Sequence, residues 1–193
     1  MKISACVVRT LVEAAVLALL VGCASTSVTV QPSPQTPVCD HSAVALVLWA
    51  PHWRPDQKDV AAREQAANTG FTDFLAQSDC FARAELRRVP ELTPPAIRAQ
   101  LAEKPGEFTK VLAIEVRELG PVVKLLSSAA LVEGGTEVVF EIAEFSVPSV
   151  AEQRRFTVRW LNGGPGVVKG VAGLPGDMQA ALRAGLQPGA SAR

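Results

Sequence analysis

The apolar run of residues 43–50, AVALVLWA, limits what this chain can fold into more than any other stretch. An unbroken apolar segment that ends at Pro51 is typical of a strand buried on both faces. Strands of this kind lie inside parallel sheets whose two faces are both covered. The run therefore predicts a central strand in an α/β domain.

The residues after this run complete a strand–helix–strand unit. Asp56 is predicted to be the N-cap of a helix that ends at about Gln77. Phe81–Val89 then alternates apolar and charged residues, which predicts a strand with one solvated face. Because a strand–helix–strand crossover is right-handed and joins parallel strands, the two strands are expected to run in the same direction.

The remaining segments predict a short helix, a third strand, an antiparallel hairpin and a last helix. The first of these are a helix from Thr93-Pro94 to before Pro105-Gly106, a strand Lys110–Leu119 interrupted at Gly120-Pro121, and a stretch 122–132 that fits either strand or loop. A turn at Glu133-Gly134-Gly135 then leads into a hairpin of Thr136–Val147 with Arg154–Leu161. An irregular stretch 162–175 and a helix Met178–Leu186 capped by Asp177 complete the chain order. The expected fold class is therefore α/β, a single domain over residues 39–187 with a mixed sheet of about five strands and about three helices.

The apolar alternation of the hairpin predicts its register. Pairing Phe140 with Trp160 and Ile142 with Val158 keeps all four side chains on the inner face. The same register places Glu141 opposite Arg159 on the outer face, where opposite charges attract.

The N-terminal residues predict a lipid anchor. Lys2 and Arg9 precede an apolar run, Ala14–Val21, that is too short to cross a hydrocarbon core of about 30 Å. Residues 1–22 are therefore typical of a secretory signal peptide. Leu20-Val21-Gly22-Cys23 resembles the lipobox of bacterial lipoproteins, which implies cleavage before Cys23, a diacylglycerol on its thiol and an acyl chain on its new amine. The alternative is an ordinary signal peptide with an incidental cysteine.

The residues after Cys23 bear on the location of the protein. In the sorting rule of enteric lipoproteins an aspartate after the cysteine retains the protein at the inner membrane, and Ala24 stands there. The resemblance thus implies the periplasmic face of the outer membrane of a Gram-negative bacterium. Residues 25–38, STSVTVQPSPQTPV, are expected to form, with Cys23, a linker segment 23–38 that could hold the domain roughly 40 Å from the lipid. Residues 188–193 are expected to be a tail.

Cys39 and Cys80 are predicted to form a disulfide. Each lies just before a strand of the parallel pair, so the sulfurs can meet if those strands are neighbours. A compartment outside the cytoplasm also favours disulfides. The alternatives are two unpaired buried cysteines or a metal site with His41 and His52; the close spacing typical of metal ligands, such as C-x-x-C, is missing. Neither a metal nor a cofactor is expected.

The candidate catalytic residues do not form a recognisable set. His41 and His52 flank the first strand of the domain at opposite ends, and Ser128 and Ser146 lack the G-x-S-x-G context. The stretch 163–170, GGPGVVKG, lacks the G-K-[ST] ending of a phosphate loop. Four acids mostly alternate with apolar residues, which is typical of the solvated face of a sheet; the alternative is a glycosidase-type pair. They are Glu115, Glu137, Glu141 and Glu144.

The stretch 49–55, WAPHWRP, is the candidate binding loop. It follows the C-terminal end of a central strand, where α/β folds place ligands, and Trp and Arg are common interface anchors. The candidate partner-binding residues are Trp49, His52, Trp53 and Arg54. The alternative is that Trp49 belongs to the core and Trp53 covers the start of the helix.

Charge and motif order indicate the class of function. The 19 basic and 19 acidic residues balance, so no nucleic-acid partner is expected. The order of KVLAIEVRELGPVV, GGTEVVFEIAEFSV and RRFTVRW resembles envelope lipoproteins of the ABC-transport auxiliary type and the α/β domain of curli-export and synthase-activator lipoproteins. We expect a non-enzymatic, membrane-anchored periplasmic lipoprotein that binds a protein partner in an envelope complex, with a glycan or lipid as other possible ligands. The alternatives are an auxiliary lipoprotein of an ABC-type lipid transport system and a periplasmic hydrolase.

Overall fold

The apolar run of residues 43–50 lies inside a six-stranded sheet. The computed structural model describes residues 24–126 and 131–187. The elements in chain order are β1 (Ser25–Gln31), β2 (Asp40–Pro51), α1 (Val60–Gln77), β3 (Phe81–Arg88), α2 (Pro94–Ala102), β4 (Lys110–Leu126), β5 (Leu131–Ser146), β6 (Glu152–Pro165), a 3-10 turn (Val171–Gly173) and α3 (Leu174–Leu186).

The sheet is mixed, with the strand order β1-β6-β5-β4-β2-β3. β2 pairs in parallel with both β3 and β4, while β4, β5, β6 and β1 are antiparallel neighbours. This arrangement confirms the predicted α/β domain with a parallel crossover, a C-terminal hairpin and three helices.

The two faces of β2 enter two different cores. Val47 and Trp49 pack with α1 and α3, beside the aromatic rings of Phe71 and Phe140. Leu46, Leu48 and Ala50, which alternate with them, pack with Ile97 of α2 and with Phe108. The predicted burial of this strand on both faces is therefore confirmed.

The disulfide follows from the parallel pairing. Asp40 of β2 is paired with Phe81 of β3, so the residues just before them are neighbours. The structure joins Cys39 to Cys80 with a Cα–Cα distance of 4.6 Å. The bond closes the chain around α1 and fixes the start of the crossover.

The segment expected to be a linker is held against the domain. Ser25–Gln31 forms β1, which pairs along its length with β6 from Ser25–Gly163 to Gln31–Thr157. Further along, Arg154 donates to the carbonyl oxygens of Thr36 and Pro37 at 2.8 and 3.1 Å. The domain thus begins at β1, because STSVTVQ alternates β-branched and polar residues as an edge strand does.

Two helix starts differ from the sequence expectation. α1 begins at Val60 after Asp59, three residues later than a cap at Asp56 requires. α3 begins at Leu174 rather than Met178, and Asp177 lies in its first turn. Asp177 accepts a hydrogen bond from Lys169 at 2.9 Å, so it secures the preceding loop instead of capping the helix.

The glycine and proline positions expected to interrupt β4 and β5 lie inside long strands. β4 continues through Gly120-Pro121 to Leu126; beyond Val116 it is no longer paired with β2, and proline is tolerated on such an edge. Gly134 and Gly135 are not a turn but pair with Gly164 and Gly163 across β5 and β6. A Cβ on Gly163 would overlap the carbonyl oxygen of Gly134, so the strands approach closely here.

The hairpin register differs from the predicted one by two residues. Val138 pairs with Trp160, and Phe140 with Val158, so the inner face is as expected but the partners are shifted. Glu141 lies opposite Thr157 instead of Arg159. A shift of two residues keeps every side chain on its face, so the apolar alternation cannot distinguish the two registers.

The observed register makes a prediction about charge coupling. Arg159 pairs with Glu137 across the strands. A double-mutant cycle of Glu137→Gln and Arg159→Gln, followed by urea unfolding, should show a coupling of roughly 0.2–1 kcal/mol. The matched cycle of Glu141→Gln with Arg159→Gln should be additive. Coupling in the second cycle and none in the first would mean that the register is wrong.

Candidate functional site

Trp49 belongs to the core rather than to the surface. Its side chain is 0% exposed, and its ring stacks on Phe71 with centroids 5.5 Å apart. It therefore cannot contact a partner, and its inclusion among the candidate binding residues is wrong. The physical reason is the pleat: Trp49 alternates with Leu48 and Ala50, so it points to the side that α1 covers.

The rest of the candidate loop is divided between the core and the solvent. Trp53 is half-buried against the core, and its indole nitrogen donates to Glu64 of α1 at 3.4 Å, so it covers the start of the helix. Arg54 is exposed and lies 3.4 Å from Glu118 of β4. His52 is the most accessible, with a side chain 73% exposed and its Nδ1 3.8 Å from Glu115.

His52 and Arg54 border a polar surface on the side of the sheet that α2 covers in part. On this side of β4 and β5, the small residues Ala113 and Ala143 lie beneath α2. The next residues on the same face, Glu115 and Glu141, lie beyond the helix. We call the uncovered surface the charged face. It consists of Glu115, Arg117, Glu137, Val139, Glu141, Arg155 and Arg159.

The charged face is a ladder of ion pairs of alternating sign. Arg117 bridges Glu115 at 2.8 Å and Glu141 at 3.0 Å. Arg155 contacts Glu141 and also binds Glu152 at 2.6 Å. The hydrogen bond from Arg155 lowers the pKa of Glu152 below its ordinary value, and the same bond raises the pKa of Arg155. Glu115, Glu137 and Glu141 each have a cationic partner, as acids on the solvated face of a sheet commonly do.

Two adjoining hollows lie on this surface and share His52 and Glu115. One, of about 270 Å³, is bordered by Glu91 and Thr93 at the start of α2. The other, of about 470 Å³, extends toward Glu137 and Val139. The residues described around the two hollows include His52 with the carboxylate of Glu115 but neither serine nor cysteine.

The other residues singled out from the sequence lie elsewhere. His41 is at the opposite end of β2 from His52. Glu144 pairs with Lys110 at 3.0 Å and with Arg154 at 2.8 Å, near the start of the domain and away from the charged face. Cys23 and Ser128 lie outside the described residues.

Arg63 is the residue that sequence reasoning missed. It is buried, and its guanidinium donates to the carbonyl oxygens of Lys58 (2.8 Å) and Leu119 and to Glu118 at 3.2 Å. A Cβ on Gly120 would overlap this guanidinium, so the glycine makes room for it. The signal was its place on the apolar stripe of α1, four residues before Ala67. Arg63 fixes Glu118, which in turn meets Arg54 at the border of the charged face.

The described residues provide neither a cluster of metal ligands nor a membrane-spanning helix. Within 24–126 and 131–187, no three His, Cys, Asp or Glu side chains come together as metal ligands would. None of the helices described there has the length and apolar character needed to span a bilayer.

Comparison with known proteins gives distant structural likenesses. No family model matches the sequence, and no curated protein matches it. The PelC dodecamer from Paraburkholderia phytofirmans is 17% identical with a TM-score of 0.42, and the match covers 82% of this chain and 95% of that one. Lipoprotein GNA1162 from Neisseria meningitidis is 14% identical with a TM-score of 0.38, covering 72% of this chain and 94% of that one.

A third likeness is of the same order. Protein XCC0632 from Xanthomonas campestris is 14% identical with a TM-score of 0.38, covering 81% of this chain and 85% of that one. TM-scores below 0.5 support no conclusion about the activity or assembly of this chain.

The two arginines that meet Glu118 offer a matched pair of substitutions. Arg63→Ala should lower the free energy of unfolding by about 2–4 kcal/mol, because it leaves the carbonyl oxygens of Lys58 and Leu119 without their donor and removes the buried one of the two arginines that meet Glu118. Arg54→Ala should cost no more than about 1 kcal/mol, because its pair with Glu118 is exposed. Urea unfolding measures both, and equal effects would contradict the buried role of Arg63.

Proposed function

We propose that this chain is a lipid-anchored periplasmic lipoprotein that binds a protein partner of the cell envelope through the charged face, without catalysing a reaction. The observation that carries the partner proposal is the charged face itself. α2 is 9 residues long and leaves the far parts of β4, β5 and β6 uncovered on its side.

The lipid anchor is supported by the sequence and by the disulfide. Leu20–Cys23 has the residues that lipoprotein processing needs, directly after an apolar run of signal-peptide length. The Cys39–Cys80 bond fits an oxidising compartment, where such bonds persist. Two or three acyl chains hold a protein durably on a bilayer, since each buried methylene contributes about 0.8 kcal/mol.

The chemistry of the charged face favours a protein over a lipid. Its charges alternate in sign over adjacent strands, from Glu115 and Arg117 to Glu141 and Arg155. A surface of mixed sign is complementary to another surface of mixed sign, which protein partners offer. Acyl chains would require an apolar groove, and this face is polar.

One observation favours the alternative of an auxiliary lipoprotein in lipid transport. A mostly apolar groove of about 470 Å³ lies between β1 and α3, lined by Val28, Trp160 and Ala184 among others. This volume is in the usual range for small ligands, roughly 300–1,000 Å³. Phospholipid bound in excess of the covalent lipid, measured by native mass spectrometry, would favour that alternative.

The anchor is tested at its cysteine. Cys23→Ser should leave the precursor uncleaved and abolish incorporation of a clickable palmitate, because the thiol is the group that accepts the lipid. Gel mobility and fluorescence of the clicked product report the two effects. Cys39→Ser, which leaves Cys23 in place, is the matched control and should still be labelled. Equal labelling of wild type and Cys23→Ser would rule out the anchor.

The partner is tested by cross-linking in native envelopes. A photo-cross-linking amino acid at Val139, on the charged face, should give a cross-linked product of discrete mass. The same amino acid at Gln65, exposed on α1, should not. Higher salt should reduce the product at Val139, because exposed charges are screened within about 10 Å at 0.1 M. A product at both positions, or at neither, would contradict the proposed binding face.

A further inference from the structure

We infer that one end of the sheet rests directly on the phospholipid surface, a conclusion that depends on the proposed anchor at Cys23. We call it the anchored end. It comprises the start of β1 at Ser25, the end of β6 at Pro165, and the loop 166–170 that follows. Its partner is the headgroup and upper acyl region of the membrane that holds the lipid.

The distance between lipid and sheet is the first argument. Ser25 is already paired with Gly163 of β6, so a single residue, Ala24, separates Cys23 from the sheet. A residue extends the chain by at most about 3.6 Å, which keeps the Cα of Cys23 within about 7 Å of Ser25. A tether of roughly 40 Å between the lipid and the sheet is excluded, because residues 25–31, at the start of the expected linker, are paired along the sheet edge.

The direction of the strands is the second argument. Ser25, Gly163, Gly135 and Val122 form one row across four strands. β4 continues beyond this row to Leu126 and β5 begins at Leu131, so both backbones extend past it by four residues, or about 14 Å. β1 runs in the same direction as β5, because both are antiparallel to β6. Its first residue, Ser25, therefore lies at the end of the sheet where β5 begins. A lipid attached at Cys23 therefore leaves the domain at the end toward which these strands project, and the described ends of β4 and β5 would reach into the headgroup and upper acyl region ahead of the anchored end.

The surface at this end is the third argument. Val168, in the loop, is 92% exposed, and Val171, directly after the loop, is 45% exposed. Residues 160–170 contain no acidic residue, and Lys169 is neutralised by Asp177 at 2.9 Å. An apolar loop without acidic charge can enter the headgroup region without repulsion from anionic lipids.

The position of the lipid favours a membrane over a protein as the partner that binds this surface. With Cys23 inserted, the anchored end is held next to the bilayer at all times, so the effective local concentration of membrane is far above that of any soluble partner. The charged face lies further up the same strands. Glu141 is six residues from Gly135, which places it about 20 Å above the row at the anchored end.

The experiment uses the full lipidated chain in liposomes of phosphatidylethanolamine and phosphatidylglycerol. An NBD fluorophore is attached through Val168→Cys at the anchored end or, as the matched control, through Ala151→Cys in the exposed turn at the opposite end. Adding nitroxide-labelled phosphatidylcholine should quench the NBD emission at 168 and leave it unchanged at 151. A long Gly/Ser insertion between Ala24 and Ser25 should abolish the quenching at 168.

The outcomes separate this inference from the proposed function. Equal quenching at 168 and 151, or none at either, would overturn the membrane contact. A blue-shifted but unquenched signal at 168 would overturn it too, since protein and not lipid would then cover the loop. Palmitate labelling of the same preparations shows whether Cys23 is lipidated. Labelled protein without quenching refutes this inference alone, whereas unlabelled protein refutes the anchor.

Discussion

The burial of β2 on both faces is the constraint on which the rest of the structure depends. A strand with Trp49 on one side and Leu48 on the other needs cover on both. α1 and α3 supply it on one face over the full core, whereas the 9 residues of α2 supply it on the other only as far as Ala113 and Ala143. β4 and β5, with 17 and 16 residues, run well past that point. Their next side chains on the uncovered side must face water, and they are charged. The candidate site is thus a consequence of a short helix over long strands.

The double burial of β2 also determines which parts of the molecule could be predicted from the sequence. The central strand, the crossover and the Cys39–Cys80 pair depend on patterns that strongly favour one arrangement, since an apolar run next to a strand–helix–strand unit favours neighbouring parallel strands. The hairpin register does not, because two registers two residues apart bury the same side chains. A turn over 147–151 and a bulge near Glu144 select the observed one, and neither is visible in the alternation of apolar residues.

The place of the candidate site could be predicted from the sequence, but the residues that form it could not. His52 and Arg54 do lie at the C-terminal end of β2, beside a hollow. Trp49 was misplaced because the sequence does not show which side of a doubly buried strand is exposed beyond the helices. For residues 25–31 two signals conflict: their composition is that of a linker, whereas their alternation of β-branched and polar residues favours the edge strand β1 that the structure has.

The ion pairs of the charged face determine how it can bind. Each acid described there already has a cationic partner. Because water screens such surface ion pairs, each contributes little to the free energy of unfolding of the isolated domain. If the proposed protein partner binds here, it must exchange these contacts for its own, so the net gain in affinity would be small, while a mismatched partner would leave charges unpaired. Such a face discriminates between partners more strongly than it holds any one of them. A lipid at Cys23, as proposed above, would offset a weak affinity, because it would confine the domain to the membrane and raise the local concentration of partners that are held there too.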